Sequence, residues 1–300
     1  MEHAEATFES ADGLRLYYQR WRPQGEPRTV LLIVHGIGEH SGRFKRIVDY
    51  FVARDHAVYA LDLRGHGRSP GRRGHLLSWS EYREDVRTFV ERISTLEPGR
   101  PLFIYGHSMG GLVVLDYVLH HPKGLSGTII SGPPFESTVA TPTLIAAALI
   151  LSRFWPTFPI KVNLEAEALC RDPAVVADYL ADPLVHRKCT ARWAAEAITA
   201  GRWVTDHASE LRVPLLMIHG EADRINTVAG CRNFFERVRF PDKRLYLVPG
   251  GYHEPHSDPG YEHVLHLVEE HMLSHVPASA QPMSMGVGVL EAGATTARGR

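Results

Sequence analysis

Six uninterrupted apolar runs closed by turn residues, with helical periodicities lying between them, constrain this chain more than any other feature. They read TVLLIVHG (29–36), AVYALDLRG (57–65), PLFIYGHS (101–108), GTIISGP (127–133), PLLMIHG (214–220) and RLYLVPG (244–250). A strand with one wet face alternates apolar and polar side chains, so runs without alternation belong to strands covered on both faces. The covering helices are legible too. Trp79, Tyr82, Val86, Phe89, Val90, Ile93 and Leu96 share one helical face, with Ser78-x-x-Glu81 as a capping box ahead of it. Tyr261, Val264, Val268 and Met272 mark a second face. Strand and helix in repeated succession predict an α/β fold, a mostly parallel sheet with helices on both sides. Upstream, ATFESADGLRLYYQRWRP alternates on either side of Asp12-Gly13, which predicts two antiparallel strands joined by a tight turn.

The rhythm breaks between residues 134 and 208, where no strand pattern occurs. Thr141-Pro142 and Asp172-Pro173 have the form of a helix N-cap followed by a first-turn proline. The stretch is therefore expected to be a helical cap inserted into one core, with residues 1–133 and 209–276 forming the two parts of that core. Residues 277–300 are rich in small residues and lack periodicity, as expected of a disordered tail.

Composition excludes several classes of function. Net charge is −1 and no run of like charges occurs, so the electrostatic footprint of a nucleic-acid binder is missing. Cys170, Cys189 and Cys231 are odd in number and contain no C-x-x-C pair, which predicts reduced, buried thiols rather than a disulfide framework or a zinc site. The longest aliphatic run, LIAAALIL (144–151), is far below the roughly 20 residues a membrane span needs. MEHAEATFESADG carries acids where a secretory signal carries bases, and a cytoplasmic location is the expectation.

Two serines fit the G-x-S-x-G pattern of a nucleophile on a sharp turn, Ser108 in GHSMGG and Ser69 in GRSPG. Such a turn needs a buried strand before it and a helix directly behind it. Ser108 has PLFIY in front and MGGLVVLDYVLHH behind, so the Met109 N–H sits at a helix N-terminus where an oxyanion would form. Ser69 is followed by Pro70, which has no N–H to donate. The acid and the base should follow in that order. Asp223 comes just after PLLMIHG and His253 just after RLYLVPG, with Glu221, Asp242 and His256 as neighbouring alternatives. The Ile37 N–H, in the glycine-rich HGIGEH loop, is the second candidate oxyanion donor. His263, His266 and Glu270 have metal-like spacing on one helical face but read as a solvated surface.

The set HGIGEHSGRF, DLRGHGRS, GHSMGG, HGEADR and GGYHE, in this order, resembles the monoacylglycerol lipases and lysophospholipases of the α/β-hydrolase superfamily over roughly residues 6 to 276. The resemblance implies the α/β-hydrolase fold, a triad of Ser108, Asp223 and His253, and an oxyanion hole formed by Ile37 and Met109. It also implies hydrolysis of single-chain acyl esters with no cofactor. Phe44 departs from the tyrosine usual in the family, and the cap is the least family-like stretch, which leaves substrate preference open. For the apolar segment TLIAAALILSRFWPTF two readings compete: an ordinary helix buried on the core, or a lid lining an acyl pocket and touching membranes. A thioesterase, acyltransferase or peptidase on the same scaffold is the enzymatic alternative, and a catalytically silent binding module the other.

Overall fold

The computed structural model describes residues 1–276 apart from Val139 and Asn163, so the expected tail at 277–300 lies outside the described residues. The chain opens with β1 (Glu2–Glu9) and β2 (Arg15–Arg22), paired antiparallel from Glu2 opposite Arg22 to Glu9 opposite Arg15. The turn between them holds because Gly13 takes φ 83° and the Leu14 N–H donates to Ser10 Oγ at 3.0 Å. Strands and helices then alternate as β3 (Val30–Val34), α1 (Lys45–Val52), β4 (Ala57–Leu61), α2 (Ser80–Leu96), β5 (Leu102–His107), α3 (Met109–His120) and β6 (Gly127–Ser131). The interruption carries α4 (Pro142–Phe154), β7 (Pro159–Lys161), α5 (Pro173–Ala181), β8 (Lys188–Thr190) and α6 (Ala191–Asp206). The chain returns to the core with β9 (Leu215–Gly220), α7 (Val228–Arg237), β10 (Lys243–Val248) and α8 (Tyr261–Ser274).

Eight strands form one sheet in the order β1-β2-β4-β3-β5-β6-β9-β10, parallel from β4 to β10. The unbroken apolar runs are explained by its two covered faces. Val30, Leu32 and Val34 enter the layer under α2 and α3, whereas Leu31 and Ile33 enter the layer under α1 and α8. All five are buried, each contributing roughly 1.5–3 kcal/mol relative to exposure. This is the α/β-hydrolase architecture. Its parallel strands point their C-terminal ends to one rim, and Ile37, Ser108, Asp223 and His253 follow β3, β5, β9 and β10 at that rim.

Three local expectations need correction or refinement. The Ser78–Glu81 capping box does not close. Trp79 already has helical angles (φ −58°, ψ −27°), so Ser78 Oγ reaches the Ser80 N–H at 3.4 Å, and Glu81 Oε2 accepts the Leu77 N–H at 3.0 Å. The stretch 134–208 is not purely helical, because β7 and β8 pair antiparallel from Pro159 opposite Thr190 to Lys161 opposite Lys188. Three residues are too few to display a period of two, and Pro159 disguises the first strand. Finally, α4 is not an ordinary buried helix. It begins as the sequence suggests, with Thr141 Oγ1 accepting the Leu144 N–H, but it packs mainly on α6 and buries only Ala148 and Ser152. Asp172 caps α5 in the same manner, accepting the Ala174 N–H at 2.9 Å. Cys170, Cys189 and Cys231 are free and buried. No helix among the described residues is long and apolar enough to cross a membrane.

Candidate active site

Between β5 and α3, Ser108 has φ 52° and ψ −121°, a left-handed conformation that costs of order 1–3 kcal/mol in a non-glycine residue. The surroundings hold it there. Its N–H donates to Ser131 O on the neighbouring strand at 2.8 Å, and its carbonyl accepts the Gly111 N–H at 2.9 Å. The helix behind it can start so close to the sheet only because Gly110 has no side chain, since a Cβ there would lie 2.1 Å from Val34 O. The result aims Ser108 Oγ away from the sheet and leaves the Met109 N–H at the α3 terminus.

The candidate acid and base come together at this serine. His253 Nε2 lies 3.0 Å from Ser108 Oγ, and His253 Nδ1 lies 2.8 Å from Asp223 Oδ2. Asp223 is itself fixed by its loop, for its Oδ1 accepts the Ile225 and Asn226 N–H groups at 2.8 and 3.0 Å. The two loops meet because Gly220 leaves room: a Cβ there would lie 2.1 Å from Tyr252 O. Burial alone would raise the Asp223 carboxyl, but His253, His219 and the Asn226 N–H facing it outweigh that and hold it well below the usual carboxylate range. The carboxylate therefore stays ionised at neutral pH.

The alternatives are engaged elsewhere. His256 is stacked on Phe44 at 5.1 Å, has Nδ1 3.2 Å from the Tyr105 hydroxyl, and is pushed by burial down to about 4. Asp242 is paired with His275 at 2.8 Å, and Glu221 is exposed beyond the strand end. Ser69 Oγ accepts the Tyr17 N–H at 2.9 Å and donates to Asp62 O at 2.5 Å, holding the loop after β4 to the hairpin. On α8, His266 and Glu270 form an exposed pair at 3.4 Å while His263 packs edge-on to Tyr246.

Sequence reasoning missed a buried polar group around the histidine loop. Arg43 Nη2 donates to both carboxylate oxygens of Glu254 at 3.0 and 3.3 Å, and Glu39 and His107 complete the group. Burial, reinforced by the charge of Glu254, raises Glu39 to about 7. The only sequence signals were the i,i+4 spacing of Glu39 and Arg43 and the adjacency of Glu254 to His253. Neither reveals burial. His219, the second imidazole on Asp223, was missed for the same reason.

Ser108, Ile37 and Met109 border a cavity of about 510 Å³. Its wall is mostly apolar, with Leu144, Ile145 and Leu151 from α4 facing Trp193 and Ile198 from α6 and with Ser137, Lys161 and Asn226 as polar members. A mostly apolar space of this size suits an apolar group.

Comparison with known proteins shows what the chain as a whole is similar to. The family described as serine aminopeptidase, S33, matches residues 25–260. A monoacylglycerol lipase of Mycolicibacterium smegmatis is 40% identical over 275 residues, which are 91% of this chain and 98% of that protein. Among solved structures, the monoacylglycerol lipase of Paleococcus ferrophilus superposes with a TM-score of 0.78 at 31% identity, covering 92% of this chain and 100% of that one. A soluble variant of the Saccharomyces cerevisiae monoglyceride lipase, crystallised with a substrate analog, reaches a TM-score of 0.82 at 26% identity, covering 91% and 95%.

Proposed function

Because the chain belongs to the serine aminopeptidase S33 family, and within the α/β-hydrolase superfamily sides with the monoacylglycerol lipases, we propose that it cleaves monoacylglycerols or similar single-chain acyl esters through an acyl-enzyme on Ser108. The protein is a serine hydrolase of carboxylic esters. The finer reading is carried by one observation, a continuous line of contacts from Ser108 Oγ through His253 to Asp223 at the edge of an apolar cavity.

In the proposed reaction the Asp223 carboxylate keeps the proton of His253 on Nδ1, which leaves Nε2 free to accept the proton of Ser108. The serine oxygen attacks the ester carbonyl, and the N–H groups of Ile37 and Met109 bind the oxyanion, each such donor contributing roughly 2.7–4 kcal/mol to the barrier reduction. His253 returns the proton to the departing alcohol. Water, deprotonated by the same imidazole, then releases the acid.

The apolar wall supports a preference for long acyl chains. Each methylene transferred from water contributes about 0.8 kcal/mol, so kcat/KM is expected to rise about fourfold per added methylene until the cavity is full. A graded series of p-nitrophenyl esters and monoacylglycerols measures this. Preference for acetyl over dodecanoyl esters would contradict the reading.

The outward face of α4 supports docking on a lipid surface. Ile150 and Phe154, with Trp155 directly after the helix, are 61%, 80% and 56% exposed, an apolar patch of the kind that partitions into a membrane interface. A Phe154→Ser/Trp155→Ser double variant is expected to sediment less with phosphatidylcholine vesicles while keeping its kcat/KM for dissolved p-nitrophenyl butyrate. Equal sedimentation of the two proteins would remove membrane contact from the proposal.

A further inference from the structure

Resting on the reading that Asp223 orients the base, we propose that His219 is a positioning residue of the same site, whose Nε2–H ties Asp223 Oδ2 to the Asn226 carbonyl and so fixes the carboxylate that faces His253. His219 is the only polar side chain in the β9 run LLMIHG, and it is completely buried. By alternation it shares the face of Leu215 and Met217, which pack in the layer that also holds Cys231 and Phe234 of α7. An imidazole in such a layer is costly unless its polar atoms are engaged, and of its two ring nitrogens Nε2 is the engaged one, Nδ1 being buried with no hydrogen-bond partner among the described residues. Its Nε2 lies 3.0 Å from Asn226 O and 3.2 Å from Asp223 Oδ2. Both neighbours are acceptors, so the proton sits on Nε2.

The arrangement leaves Asp223 little freedom. Oδ1 accepts from Ile225 and Asn226, and Oδ2 faces His253 and His219. Of these four contacts, His219 alone comes from the rigid sheet, the others coming from the acid's own loop or from the base itself. The titratable groups that face His219 are Asp223 on its loop, Cys231 on α7 and His253 across the carboxylate. Burial favours the neutral ring, but the contact with Asp223 and the neighbouring Cys231 hold His219 above the ordinary histidine range.

The test compares His219→Ala and His219→Gln with the wild-type protein on a dissolved p-nitrophenyl ester, with Ser108→Ala as the inactive reference. Glutamine keeps an N–H donor near the position of Nε2 but carries no charge. The alanine variant is expected to lose about 10- to 100-fold in kcat with KM nearly unchanged. The glutamine variant should regain most of that kcat, again with KM nearly unchanged. The proposal is overturned by a folded alanine variant with wild-type kcat or by a glutamine variant as impaired as alanine. If the alanine variant does not fold, the glutamine variant decides alone: a kcat within about tenfold of wild type supports the positioning role, and a larger loss overturns it. Activity retained by Ser108→Ala would strike the underlying reading of the site instead, an outcome separable from any result on His219.

Discussion

Ser108→Ala lowers kcat for ester hydrolysis by about 10⁴-fold or more and abolishes labelling by a fluorophosphonate probe, while the protein stays folded. The size follows from the interdependence of such a triad, in which loss of the nucleophile removes nearly everything the base and the acid contribute and leaves only oxyanion binding and substrate positioning. The intact fold follows from the local structure. Alanine keeps the Cβ, so the strain at φ 52° is unchanged, and the backbone bonds to Ser131 and Gly111 remain. The only side-chain bond lost is the one to His253. Initial rates on p-nitrophenyl butyrate, with circular dichroism to verify folding, decide the matter. A folded alanine variant that still hydrolyses the ester would end the serine mechanism argued above.

Asp223→Asn is the second large effect expected, a fall in kcat of about 10⁴-fold near neutral pH with little change in KM. The substitution is isosteric, so its effect comes from hydrogen-bond polarity. The Oδ1 position faces two backbone donors, Ile225 N–H and Asn226 N–H, and an amide would turn its oxygen toward them. Its NH₂ group would then occupy the Oδ2 position and face His253 Nδ1. The imidazole must take the opposite tautomer, with the proton on Nε2 pointing at Ser108, where it can no longer accept one. The same NH₂ would also confront the Nε2–H of His219. Steady-state kinetics across pH 6 to 9 measure the loss. A kcat within tenfold of wild type would mean that Asp223 does not hold the tautomer of His253.

The parts of this molecule legible from its residues are those governed by short stretches of chain. The runs around Leu31, Tyr59 and Ile104 read as strands covered on both faces because a strand displays its burial within five residues. Ser108 could be preferred over Ser69 because strand, glycine, serine, glycine and helix follow one another within a dozen positions. The cap was harder. Its two strands are three residues long, and the all-round apolarity of α4 does not reveal that it would cover a cavity on one side and face outward on the other. Among 18 histidines, nothing within the chain's local pattern marks His219 or His107 as buried beside the site.

The amino-acid order alone determined the α/β class, the opening hairpin, the strand-to-helix turn at Ser108 and a short roster of candidate residues at the strand ends. These depend on backbone sterics, glycine's missing side chain and the period of apolar residues, all of which act over a few positions. Only the tertiary structure decided which members of that roster meet. Ser108 and His253 are 145 positions apart, and their 3.0 Å approach is set by how β5, β9 and β10 lie in one sheet and by the space that Gly220 leaves between two loops. Burial of Glu39, Arg43 and His219, and with it their ionisation, is likewise a property of what packs around them, because the cost of a charge depends on the solvent removed and not on the neighbours in sequence.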